Sequence, residues 1–152
     1  MFATAYPMVE LANAVATRMK ALRTAVILDT CYSGGSIKSE ATASGALANK
    51  GPSSQMLTRM SEGTGRIVMS ASRVDEESLE SPTLKHGYFT YFLLQALKAG
   101  NGNTPLSQGY DSVAQQVSAR VTADGAHQHP VMSKSAADAD FALGVAGLGG
   151  SE

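Results

Sequence analysis

Between residues 7 and 22, PMVELANAVATRMKAL, apolar positions return at helical spacing: Met8, Leu11, Ala12, Val15, Met19 and Leu22. The spacing predicts a helix over 7–22, with Pro7 in a first turn where a missing N–H costs nothing. The pattern then changes character. TAVILD, residues 24–29, is a continuous β-branched run too short for a helix, and it reads as a strand covered on both faces, as in a parallel sheet. Residues 36–64 hold few large apolar side chains and much Ser, Thr, Gly and Ala, predicting an exposed loop with one short helix near residues 55–60. RIVMSAS, residues 66–72, is a second buried strand, and the acidic connection RVDEESLESPTLKHG follows it.

Two further helices are expected. Phe89, Phe92, Leu93, Ala96 and Leu97 mark one over 88–98; Tyr110, Val113, Val117 and Val121 mark another over 108–121, after the turn cluster AGNGNTP. PVM and DFALG, at 130–132 and 140–144, are the candidates for a last short strand. Helix, strand, loop, strand, helix, helix is an α/β order with a mostly parallel sheet, whose chemistry belongs beyond the carboxyl ends of its strands. One domain over 1–145, with 36–65 as its exposed loop and 146–152 as a flexible Gly-rich tail, accounts for the whole pattern.

Composition narrows the classes of function. A formal net charge of −1 on 152 residues argues against binding nucleic acid through bulk electrostatics. No apolar run approaches the ~20 residues of a membrane span. One cysteine cannot form an internal disulfide, and MFATAYPMVE lacks the basic start and apolar centre of a secretory signal. The expectation is a cytoplasmic protein.

That cysteine, Cys31, stands in AVILDTCYSGGSI, at the end of the first strand and two residues after Asp29. A lone thiol in such a protein is more often a small buried hydrophobe than a nucleophile. Its place at a strand end, and the freedom of Gly34 and Gly35 to turn sharply beside it, favour the nucleophile. Spacing removes several alternatives. A cysteine phosphatase needs Arg six residues on, where Ile37 stands; the serine-hydrolase elbow and the phosphate-binding glycine motifs are absent; one Cys with three distant His residues makes no zinc site. Asp29 shares this edge, where its carboxylate needs a partner or water.

VILDTCYSGG resembles the catalytic-cysteine segment of the caspase-like peptidases, in particular their bacterial orthocaspase and metacaspase branch. RIVMSASRVDEESLES is similar to that family's next strand and acidic turn, KHGYFTYFLLQALKAG to its His-Gly-x-Phe-Thr helix, and QHPVMSKSAADADFALG to its closing segment. The segments stand in the family's order over residues 8–145. The resemblance implies a caspase-like three-layer fold. It also implies a cysteine endopeptidase in which Cys31 attacks the scissile carbonyl to form an acyl-enzyme that water hydrolyses.

In that branch the Asp two before the Cys lines an acidic S1 pocket for Arg or Lys. The resemblance therefore makes Asp29 substrate-binding, with Asp75 or Glu76 of the acidic turn as second carboxylate and a peptide or protein with a basic P1 residue as partner. A carboxylate capping nearby backbone N–H groups is an equal reading of Asp29, and a solvated acidic loop is the plain reading of Asp75 and Glu76. No cofactor is expected; some relatives use calcium, but no dense carboxylate loop marks a site for it.

The catalytic His of caspase-type chains lies ~50 residues before the Cys. None of residues 1–30 is His; His86, His127 and His129 all follow Cys31 and read as structural. The expectation is therefore the C-terminal part of a catalytic domain. Its first strands and His loop would come from a separate N-terminal half-domain, and TAVILD would be left as an open sheet edge. Relatives are often self-cleaved between the two strands, where Lys38, Lys50, Arg59 and Arg66 are the basic candidates.

Overall fold

A computed structural model describes residues 7–30, 52–135 and 140–143. Cys31, Lys38 and Lys50 lie outside the described residues. The order is α1 (Met8–Arg18), β1 (Thr24–Leu28), α2 (Ser54–Ser61), β2 (Arg66–Ser70), β3 (Glu80–Ser81), β4 (His86–Gly87), α3 (Tyr88–Ala99), α4 (Leu106–Ala123) and β5 (Val131–Lys134).

β1 and β2 run parallel in the register Thr24↔Arg66 to Leu28↔Ser70. β5 lies on the other side of β2 and is antiparallel, with Ser70 opposite Val131. Alternation along the strands sorts the core into two layers. Val26, Leu28, Val68 and Val131 face α1 and α2, whose Ala12, Val15, Leu57 and Met60 are buried against them. Ala25, Ile67, Met69 and Met132 face the opposite way, onto Phe89 and Leu93 of α3 and Val113, Val117 and Val121 of α4. Helices thus cover both faces of one mixed sheet.

Three expectations are corrected. The first helix stops at Arg18, because Met19 turns to extended backbone and Leu22 is 88% exposed. The cause is Arg66, a buried cation whose guanidinium donates to the carbonyls of Ala16 (3.2 Å), Met19 (3.0 Å) and Glu62 (2.8 Å). An internal charge bound in this way is held in place and is no loop cleavage site, so Arg66 leaves the list of self-processing candidates. Second, the closing strand is antiparallel and ends at Lys134; of the expected DFALG, Asp140 and Phe141 instead join α4. The carbonyl of Phe141 accepts the Leu106 N–H (3.0 Å), and Asp140 accepts the N–H of Ser107 (3.1 Å) and its hydroxyl. Third, the short helix inside the expected loop is no exposed segment, because Leu57 and Met60 are buried in the core. Arg59 on that helix is solvent-facing, and its Nε donates to Asn13 Oδ1 at 2.9 Å, tying α2 to α1.

Candidate active site

The end of β1 is fixed by the sheet and by the start of α3 together. Leu28 O, at the last residue of β1, accepts the N–H of Ala71 at 2.9 Å, which carries the parallel ladder one step past β2. Asp29, half-buried, then turns its carboxylate toward α3: Oδ2 accepts the N–H of Thr90 (3.2 Å) and its hydroxyl (2.5 Å), while Oδ1 accepts the hydroxyl of Ser78. Thr90 is in the first turn of α3, whose own cap residue, Gly87, offers no side chain. Asp29 therefore supplies from β1 the capping acceptor that the helix lacks, at the end where a negative charge is favoured. A Cβ on Gly87 would stand 2.7 Å from Asp29 Oδ2, so the carboxylate sits in the space that glycine leaves empty.

The acidic turn is built as firmly. The Ser72 hydroxyl donates to Glu76 O (3.2 Å), and Gln128, fully buried, accepts the Leu79 N–H (2.9 Å) and donates to Ala71 O (2.9 Å). Gln128 thus joins the two ends of the 71–79 turn. Glu76 is engaged by the neighbouring residue: Oε2 accepts the His129 N–H at 2.7 Å and Oε1 meets His129 Nδ1 at 2.5 Å. Asp75 is exposed. Of the sequence-predicted carboxylates, Asp29 is bound to Ser78 and Thr90, Glu76 is bound to His129, and Asp75 faces solvent. His86 and His127 are exposed.

Burial by itself pushes the Glu76 carboxyl up, but the His129 side-chain bond, the His129 N–H and the imidazole's charge outweigh it and hold Glu76 below the usual glutamate range. A folded-state pKa below the unfolded one stabilises the fold above the unfolded value, and that contribution fades as pH falls through the folded value. The difference in urea midpoint between wild type and Glu76→Gln is expected to be present above the ordinary glutamate range and to shrink as pH falls through and below it. A pH-independent difference would mean that the pair contributes shape and no charge.

Ser78, Thr90, Gln128 and Gly87 were not singled out by sequence reasoning. Only Gly87 carried a signal, the glycine directly before a strongly apolar helix in KHGYFTYFLL.

Among comparisons with known proteins, the family model of the peptidase C14 caspase domain matches residues 6–142. The chain belongs to the caspase-domain family. No curated protein and no solved structure matches it. Membership of this family makes it a cysteine peptidase by descent, and the α/β layering around a parallel strand pair fits a caspase domain. Among the described residues no three His, Cys, Asp or Glu side chains gather as a metal ion would require, and no helix is long and apolar enough to cross a membrane.

Proposed function

We propose that this caspase domain is a cysteine endopeptidase that cleaves after Arg or Lys. The Cys31 thiolate attacks the scissile carbonyl, and a histidine from outside this chain takes the thiol proton and returns it to the leaving amine. The observation that carries the reading is Asp29, a carboxylate anchored at the carboxyl end of β1 two residues before Cys31. Three of its roughly four acceptor sites are taken by Ser78 and Thr90, which fixes its position while its charge remains to attract a cationic side chain. Within the acidic turn Glu76 is engaged by His129, so any second carboxylate from that turn would be Asp75.

The outside histidine fits the sheet. Among the described residues no strand pairs with the outer edge of β1, and Ile27 on that edge is 39% exposed although its strand neighbours are covered. A parallel strand added there from an N-terminal half-domain would complete the ladder and bring a loop to the Cys31 end. A non-catalytic module that binds basic peptides is the second reading, favoured by the same saturation of Asp29, which serves binding as well as turnover.

Two measurements on Cys31 separate these. Its alkylation by iodoacetamide should follow a single thiol ionisation whose pH profile is unchanged by His86→Ala, His127→Ala or His129→Ala. Loss of a fast low-pH limb in one of those variants would place the base inside this chain. A peptidyl acyloxymethyl ketone with P1 Arg should label Cys31 while its P1 Asp counterpart does not. Equal labelling by both would defeat the basic specificity, and no labelling by either, with or without an added His-bearing half, would favour the binding module.

A further inference from the structure

The two ends of the parallel strand pair are chemically unlike. Asp29 and the acidic turn mark the carboxyl end of β1 and β2; the amino end is marked by the connection from α1 to β1, RMKALR, residues 18–23. This connection carries three cations, Arg18, Lys20 and Arg23, and no acid, and every one of its residues is exposed. Two of them are large and apolar: Met19 is 44% exposed and Leu22 88%. A single exposed leucine is ordinary. One that a rigid backbone holds away from the core, between cations, is not. Arg66 binds Met19 O at 3.0 Å on one side of Leu22, and the Thr24 N–H is bound to Gly65 O at 2.9 Å on the other. Between these anchors Leu22 O packs so closely on Gly65 that a Cβ there would stand 1.9 Å away. The backbone is pinned, and the Leu22 side chain is presented to solvent.

The carboxylates that the fold brings toward this end are engaged elsewhere. Glu62, whose carbonyl shares the Arg66 guanidinium with Met19 O, pairs with Arg59 at 3.7 Å. Asp140 accepts from Ser107, and its neighbour Phe141 lies under Arg23, whose guanidinium stands 5.9 Å from the ring centre. The connection therefore keeps its positive charge, although the chain as a whole carries −1.

We propose that the 18–23 connection is a docking surface for an anionic phospholipid bilayer. Leu22 and Met19 enter the headgroup layer, and Arg18, Lys20 and Arg23 lie at the level of the phosphates. A protein partner needs a broad complementary face, whereas six exposed residues with two apolar tips offer little area. A bilayer interface accepts such tips singly, and each cation gains from its negative surface potential. The long Lys and Arg stems cover apolar surface while their charged heads stay in the polar layer. Tips held out in advance carry little ordering cost on insertion. Docked this way, the chain turns the carboxyl end of β1, about 17 Å off at ~3.3 Å per residue, away from the lipid. Asp29 and the acidic turn then face soluble substrates, whichever residue the peptidase cleaves after.

The test floats the whole chain through a density step with vesicles of phosphatidylcholine alone, or of phosphatidylcholine and phosphatidylserine in equal parts; aggregated chain stays at the bottom. The chain is expected to rise with the mixed vesicles, to stay behind with phosphatidylcholine alone, and to be released by added sodium chloride. Leu22→Ser should weaken the association about tenfold, and Arg18→Gln combined with Lys20→Gln about twentyfold. Val9→Ser, at an apolar residue 55% exposed in the first turn of α1, should leave it unchanged. All four positions are exposed, so these variants are expected to keep the wild-type urea midpoint. The chain has no tryptophan, so Leu22→Trp places a single reporter at the tip, and its emission should shift to the blue on the mixed vesicles only. Flotation with neither vesicle, equal flotation with both, or an emission that does not move would overturn the proposal. Association lost in the double variant but untouched by Leu22→Ser would overturn the bilayer in favour of an acidic protein partner.

Discussion

Gly65→Ala is expected to leave the domain at or beyond the edge of stability at room temperature. Gly65 opens β2 with φ +66°, a left-handed conformation that costs an L-residue about 1 kcal/mol or more. The larger part is steric. An alanine Cβ would stand 1.9 Å from the carbonyl oxygen of Leu22 and 3.0 Å from its carbon, and both are backbone atoms that lead directly into β1. Relief requires moving that segment, yet the carbonyl of Gly65 accepts the Thr24 N–H at 2.9 Å, which fixes the start of the parallel ladder. Losing this register with the conformational cost amounts to more than about 3 kcal/mol, against a total of about 5–15 for a domain of this size. Gly63→Ala is the control. Its φ is also positive, at +104°, but the new methyl meets only the Arg66 side chain at 3.7 Å, so it carries the conformational cost without the backbone collision. Urea titrations should show Gly65→Ala with a far lower midpoint than Gly63→Ala. Equal midpoints would show that the Leu22 segment yields freely.

Those glycines illustrate which features of the fold were legible in the sequence. TAVIL and RIVMS declared themselves as strands because a five-residue apolar run of β-branched side chains has no competing helical solution, and their alternation even separates the two core layers. The partners of Arg66 were not legible. Its bonds to Ala16 and Met19 span 50 and 47 residues, and they decide where the first helix ends although nothing local in MKALRT says so. β5 is antiparallel for a similarly remote reason, the course of the chain after α4, which a four-residue strand does not encode. At the site, resemblance supplied the residue types but not their neighbours. DTC marked Asp29, yet its bonds to Ser78 and Thr90 reach 49 and 61 residues along the chain. Glu76 was read as a free acid because His129, 53 residues away, lies in a loop with no pattern of its own.

The second large effect falls on Asp29 itself, and its sign structure is the sharper test of the site. Asp29→Ala leaves the Thr90 N–H, the Thr90 hydroxyl and the Ser78 hydroxyl without their acceptor and uncaps α3, an expected loss of about 2–4 kcal/mol. Asp29→Asn keeps one carbonyl acceptor and should lose roughly half as much. Gly87→Ala is expected to cost a comparable amount, although its backbone, φ −58° and ψ 143°, suits alanine well. On conformational grounds alone that substitution would stabilise the fold by about 0.4–1 kcal/mol through the unfolded chain. It destabilises only because the new methyl displaces the Asp29 carboxylate. In the Asp29→Ala background the obstacle is gone, so adding Gly87→Ala should be neutral or stabilising. A coupling of about 1–3 kcal/mol between the two positions follows. Additive losses would mean that Gly87 matters to α3 for its own flexibility and that Asp29 does not occupy its space. A reversal of sign would establish that this glycine is present so that a carboxylate can stand at the end of β1, two residues before the thiol.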